Sequence, residues 1–152
     1  FEKNGITKYL SASPYGAHYG IAEQIFINNP AFGVGVKNFR IESYKKENLN
    51  NIDNVFVESG WGGSTHPHQV HYEFLAETGL FGYISFLIFI LLSIYLSIKN
   101  FLVHKDIFQL CGILFVISSL IPLIPSGSFL STYNSSIFWL NYSLMVSYIR
   151  RY

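Results

Sequence analysis

The densest chemistry in the 152 residues runs from Thr65 to Glu73, where Thr-His-Pro-His-Gln-Val-His-Tyr-Glu places three of the five histidines within six positions. Imidazole titrates near neutrality, so it serves both as a proton acceptor and as a metal ligand. Three readings compete. Zinc could be held by His66, His68 and His71, but the spacing is not His-Glu-x-x-His and the lone Cys111 lies in a distant apolar run. The cluster could instead be a helix cap with solvated histidines. The third reading is general-base catalysis, which needs a proton donor and a reason beyond spacing.

The local pattern suggests how the cluster is held. Thr65 can cap a helix whose first turn contains Pro67, because the N–H that proline lacks would be unpaired there. On such a helix His68, His71 and Tyr72 share a face, while Glu73 and Glu77 lie one turn apart on another. The positive end of a helix attracts anions and favours neutral over charged imidazole. A neutral histidine beside a bound phosphate is a competent base.

Upstream, Gly33-Val-Gly-Val-Lys-Asn38 has two glycines one residue apart but no third glycine and no surrounding βαβ pattern, so a dinucleotide loop is not expected. The glycines are read as a tight turn that brings backbone close to another helix or to a ligand. Arg40 follows, the only arginine before the C-terminus. Its bland reading is a solvated surface side chain.

The elements that must position these residues divide sharply by charge. Residues 1–78 carry six basic and eight acidic side chains, net −2, whereas residues 79–152 carry only Lys99, Lys105, Asp106, Arg150 and Arg151, net +3. Charged residues make up 12% of the chain and apolar residues 50%, with a mean hydropathy of +0.30. That is too apolar for disorder and too sparsely charged for an ordinary soluble domain. The formal net charge of +1 offers no basic field, so no nucleic-acid partner is expected. A single cysteine rules out an intrachain disulfide and leaves the redox compartment unread. The chain opens on Phe1 rather than methionine, without the basic-then-apolar pattern of a signal peptide, which suggests a piece of a longer protein.

An all-α, polytopic membrane fold is therefore expected, with an outer segment of short helices followed by about three transmembrane helices. Residues 80–98 are nineteen uncharged positions, a helix of roughly 28 Å, close to the hydrocarbon thickness. The next uncharged stretch, 107–149, is too long for one crossing and is interrupted by Pro122, Pro125, Ser126, Gly127 and Ser128, so helices over 107–125 and 129–149 joined by a hairpin are predicted. Asn134, Ser135, Ser136 and Asn141 dilute the last helix and are expected to face other helices. Lys99 and Lys105 mark one cytoplasmic loop and Arg150 with Arg151 the cytoplasmic C-terminus, which puts residues 1–78 and the Pro-Ser-Gly-Ser hairpin outside. Tyr83, Trp139 and Tyr148 suit an interfacial belt. In the outer segment, the stretch from His18 to Pro30 reads as an amphipathic helix with Tyr19, Ala22, Ile25 and Phe26 on one stripe, halted by Asn29-Pro30. A second helix is predicted from about Thr65, after a loop with a polar core (residues 45–54) and a flexible Gly-Trp-Gly-Gly-Ser.

Two stretches in this order, Asn-Asn-Pro-Ala-Phe-Gly-Val-Gly-Val-Lys-Asn-Phe-Arg (28–40) and Thr-His-Pro-His-Gln-Val-His-Tyr-Glu-Phe-Leu-Ala-Glu-Thr-Gly-Leu-Phe-Gly-Tyr (65–83), resemble the O-antigen ligase and O-antigen polymerase superfamily of bacterial envelope glycosyltransferases. The resemblance covers about a third of the chain. Members usually show His-x-His-Asn followed by a Glu and Glu-x-Gly pattern; here Gln69 stands in place of the asparagine, and offers the same donors and acceptors. Members also tend to carry an arginine near the start of the helix preceding the Asn-Pro turn, where this chain has His18. The resemblance implies a multi-pass protein of the bacterial inner membrane, of which this chain would be the C-terminal part, with residues 1–78 periplasmic. It implies transfer of a glycan from an undecaprenyl-pyrophosphate carrier to a sugar hydroxyl, on a lipid A core or a growing lipid-linked glycan, with no metal and no other cofactor. His68 is then the expected base, with His66 and His71 as further candidates. Arg40 or His18 is expected on the pyrophosphate, with Gln69 and Glu73 near the glycan; Glu73 either orients a histidine or is solvated. The rival classes are a transporter of small anions, which an intramembrane charge pair would support although none occurs between residues 107 and 149, and a non-catalytic membrane scaffold.

Overall fold

A computed structural model describes residues 5–60, 63–122 and 124–147, and every regular element among them is helical. The order is α1 (Ile6–Ala12), α2 (Pro14–Asn28), α3 (Phe39–Glu42), a 3-10 turn (Lys46–Asn48), α4 (Val55–Glu58), α5 (Val70–His104), α6 (Ile107–Ser119) and α7 (Thr132–Ser147). Arg150, Arg151, Tyr148 and the Trp61-Gly62 part of the glycine-rich stretch lie outside the described residues.

Helix α2 starts where Ser13 accepts a hydrogen bond from the Gly16 N–H with Pro14 in the first turn, and it ends at Asn29, one residue before Pro30. Tyr19, Ala22 and Ile25 of the expected stripe are buried, with Phe26 half-buried. Ile21, Ala22 and Ile25 pack with Phe39 and Ala76 into an outer core. The polar segment 45–54 is tied to this core rather than looping free. Asn48 accepts from Asn28 and donates to the Glu42 carbonyl, while Asn54 donates to the carbonyls of Leu10 and Ser13 and caps α4. Both asparagines are 1% exposed, so their bonds replace water that the fold has removed.

Helix α5 begins five residues later than Thr65. Its cap is Gln69, whose amide oxygen accepts from the N–H groups of His71 and Tyr72, so neither Thr65 nor Pro67 belongs to its first turn. It continues, across a kink, into the apolar stretch expected as a helix over 80–98. One residue inside it is non-helical: Gly79, at φ 65° and ψ −168°. The break frees carbonyls and amides, and the loop after Pro30 takes them up. Val34 and Gly35 donate to the carbonyls of Ala76 and Glu77, while Leu80 and Phe81 donate to those of Pro30 and Ala31. The approach is too close for side chains, since a Cβ on Gly33 would lie 2.5 Å from the Glu77 carbonyl carbon and one on Gly79 2.5 Å from that of Ala31. Thus the paired glycines do make the expected tight turn against a helix, and the Glu-Thr-Gly of α5 is its partner.

Beyond the break, α5 lies beside α6 and α7 around a core that includes Ile90, Ile113, Val116, Phe138 and Met145. Gly112 lets α6 approach the α7 backbone, where Gln109 donates to the Met145 carbonyl. Helix α5 is long and apolar enough to cross a membrane. Helix α6 stops at Ser119, short of the 107–125 predicted, and its 13 residues reach only about 20 Å. Helix α7 starts at Thr132 rather than 129, because Ser128 and Ser131 are spent on turn hydrogen bonds. The polar residues of α7 mostly bond their own helix: Ser135 to Ser131, Ser136 to Thr132 and Asn141 to Ile137. Asn134 donates to the Ser128 carbonyl in the hairpin before α7, and the Tyr142 hydroxyl of α7 shares a hydrogen bond with that of Ser93 on α5.

Candidate functional site

Three histidines meet just ahead of α5. The ring of His68 lies 4.7 Å from that of His18 and 4.0 Å from that of His66, centroid to centroid, and Tyr15 meets it edge-on at 5.8 Å. Helix α2 supplies Tyr15, which is exposed, and the buried His18 three residues later. The turn before α5 supplies the other two, and His68 reaches its place only by adopting a left-handed φ of 58°. Its carbonyl is held by the Ser126 N–H at 2.7 Å, so the hairpin between α6 and α7 closes over the cluster.

Burial and mutual proximity keep these rings neutral. Burial, aided by His68 and His66, lowers His18 from 6.5 to about 4. His66 is lowered by burial and by His68. His68 is lowered by burial, against an opposing hydrogen bond with the Ser126 backbone. His66 Nδ1 is engaged by the Thr65 hydroxyl at 2.9 Å, whereas its Nε2 has no hydrogen-bond partner among the described residues. Among those residues no group of three or more His, Cys, Asp or Glu side chains is arranged to hold a metal ion.

His66 also lines a cavity of about 370 Å³ with Lys37 and Arg40 in its wall. Thr65, Ser128, Ser131 and Thr132 supply hydroxyls, and Glu77 the one carboxylate, to the same lining. Glu77 is occupied: its oxygens accept from the backbone N–H groups of Lys37 and Phe39, fixing the start of α3 and with it the Arg40 backbone. A half-open space walled by two cations, hydroxyls and a neutral imidazole suits a phosphorylated ligand with a hydroxyl to deprotonate.

The expected site residues separate into two groups. His18, His66 and His68 come together, and Arg40 shares the cavity with His66. His71 faces elsewhere: its Nε2 lies 2.8 Å from the Leu120 carbonyl and its Nδ1 3.0 Å from the Tyr83 hydroxyl, a bridge from α5 to the end of α6. The expectation that His68, His71 and Tyr72 share a helix face is overturned, because His68 precedes the helix. Gln69 spends its amide oxygen on the helix cap. Glu73 is 2% exposed and neither solvated nor paired with a histidine; it accepts from the Ser128 hydroxyl and the Phe129 N–H, so it holds the hairpin in place. The sequence reading gave no role to Lys37 or to the hydroxyls of the hairpin. Lys37 was visible as the cation three residues before Arg40, whereas nothing local reveals that residues 127–134 fold over residues 65 and 66. No protein family, curated protein or solved structure matches the chain.

Proposed function

We propose that this chain carries the transfer centre of a membrane glycosyltransferase that moves a glycan from a polyprenyl-pyrophosphate carrier to a sugar hydroxyl. The observation that carries the reading is a neutral histidine cluster abutting a cavity with Lys37 and Arg40 in its wall. The pyrophosphate occupies that cavity, where two cations and hydroxyl donors offset its charge. His68 takes the proton of the acceptor hydroxyl, with His66 the rival base because it lines the cavity itself. The acceptor oxygen bonds to the anomeric carbon as the bond from that carbon to the pyrophosphate oxygen breaks, and the electron pair leaves with the pyrophosphate. His68 is favoured as base by its place in the cluster, where the rings of both His18 and His66 lie against it.

In this reading α5 crosses the inner membrane of a bacterium, and α6 and α7, each shorter as a helix than the hydrocarbon thickness, recross it together with the residues that flank them. The loop of Lys99 and Lys105 is cytoplasmic, and the histidine site opens on the periplasmic side, where lipid-linked glycans are presented. The acceptor is a lipid A core in a ligase and a second lipid-linked glycan in a polymerase. Complementation by the full-length protein tests both points, in strains lacking either their ligase or their polymerase, with envelope glycan ladders as readout and membrane expression checked. Wild type is expected to restore ladders in one of the two strains, and His68→Ala to abolish them. Equal rescue by His68→Ala would remove the base assignment. Failure of wild type with a matched donor would turn attention to anion transport.

A further inference from the structure

The loop that carries Lys37 and leads into α3 with its Arg40 also presents apolar side chains to the outside. Phe32 is 75% exposed, Val36 56% and Phe81, in the first turn past the Gly79 break, 62%. The Phe32 and Phe81 rings stack at 5.4 Å and 30°, joining the loop to the helix as one aromatic step. Its position is fixed, because the loop and α5 exchange four backbone hydrogen bonds around Gly79 and leave no room for a Cβ on Gly33. The step continues directly into the exposed apolar flank of α5, on which Ile84 and Ile88 are 43% and 62% exposed. Aromatic side chains collect where a helix leaves the hydrocarbon, and cations beside them meet lipid phosphate.

We infer that the Phe32–Phe81 step is embedded in the interfacial zone of a phospholipid bilayer, so that the cationic cavity opens at the level of the headgroups. This rests on the membrane reading above. It goes beyond it by giving the outer loop a lipid-contacting face, with Phe32 and Val36 in the interface and Lys37 and Arg40 above them. A pyrophosphate whose lipid stays in the bilayer then reaches Arg40 without being lifted into water. An apolar face left in water would instead expose two stacked phenylalanines to no partner.

The test uses the full-length protein with Cys111→Ser, reconstituted in phosphatidylethanolamine and phosphatidylglycerol vesicles. Single reporter cysteines carry an environment-sensitive fluorophore. Phe32→Cys and Val36→Cys read the step, Ile88→Cys reads the apolar span, and Glu58→Cys, on exposed α4, reads water. Lipids spin-labelled near the headgroup and aqueous iodide serve as the two quenchers. Positions 32 and 36 are expected to be quenched by the spin label and protected from iodide several-fold relative to position 58. If 32 and 36 match 58 while 88 is shielded from iodide, the inference fails and the membrane reading stands. If 88 is also open to iodide, both fail.

Discussion

His68 shows how one residue can be constrained by backbone and by chemistry at once. Its left-handed φ of 58° is tolerated by asparagine and disfavoured in a β-branched residue, which separates the two demands. His68→Asn is expected to leave the thermal midpoint near wild type, and His68→Val to lose about 1–2 kcal/mol, while neither restores glycan ladders. A ladder from His68→Asn would place the base elsewhere. The neutral cluster also fixes a pH dependence. His18, lowered to about 4, binds a proton more readily in the unfolded chain than in the folded one throughout the interval from 6.5 down to 4. Stability is therefore full above pH 6.5 and falls as pH drops toward 4; urea midpoints measured across that interval check the slope, and His18→Gln should flatten it. If the proposed transfer runs on His66 or His68, both lowered chiefly by burial, its acid limb is expected to set in below pH 6.5, which a pH profile of transfer checks. At this scale the sequence shows that His66 and His68 gather, because they are two positions apart, but spacing alone reveals neither that His18 joins them from α2 nor that His71 turns away. It hides the role of Glu73, whose partners lie 55 and 56 positions away, and of His71, whose carbonyl partner lies 49 away.

Among the elements, the junction of the Pro30–Gly35 loop with α5 determines where the cations stand. Gly33→Ala or Gly79→Ala would press a methyl group onto backbone as well as impose a positive φ on alanine. Each is expected to cost several times the 1–2 kcal/mol or so of left-handed backbone alone, and to lower membrane yield. Gly60→Ala is the control: φ is also positive, at 87°, but nothing lies within 4 Å of the added atom, so only the backbone cost should appear in the thermal midpoint. Equal losses at all three positions would mean the close approach is not what matters. The turn itself was readable from Gly-x-Gly after Asn-Pro, as was the end of α2. The start of α5 was not. Threonine and proline are the stronger local cap signals, but glutamine took the cap because His68 turns the chain left-handed one residue earlier.

For the whole molecule, the charge division of the sequence reappears as two packed regions sharing α5: an outer core around Ile21, Ile25 and Phe39, and an apolar core with α6 and α7. The apolar half was legible from hydropathy alone, whereas the shortness of α6 was not, because Pro122 and Pro125 act beyond a helix that has already ended at Ser119. Orientation gives its own prediction. With Cys111→Ser, an impermeant maleimide added to cells with a permeabilised outer membrane should label Glu58→Cys and spare Lys105→Cys; the reverse pattern would invert the topology. A non-helical residue in a long helix is ordinarily where amide protons escape to solvent and where a rod bends. Here the Leu80 and Phe81 amides are already bonded, to the Pro30 and Ala31 carbonyls at 2.8 and 3.2 Å. In deuterium oxide they should exchange as slowly as amides in mid-helix, making the break a spliced joint through which the two halves of α5 move as one piece.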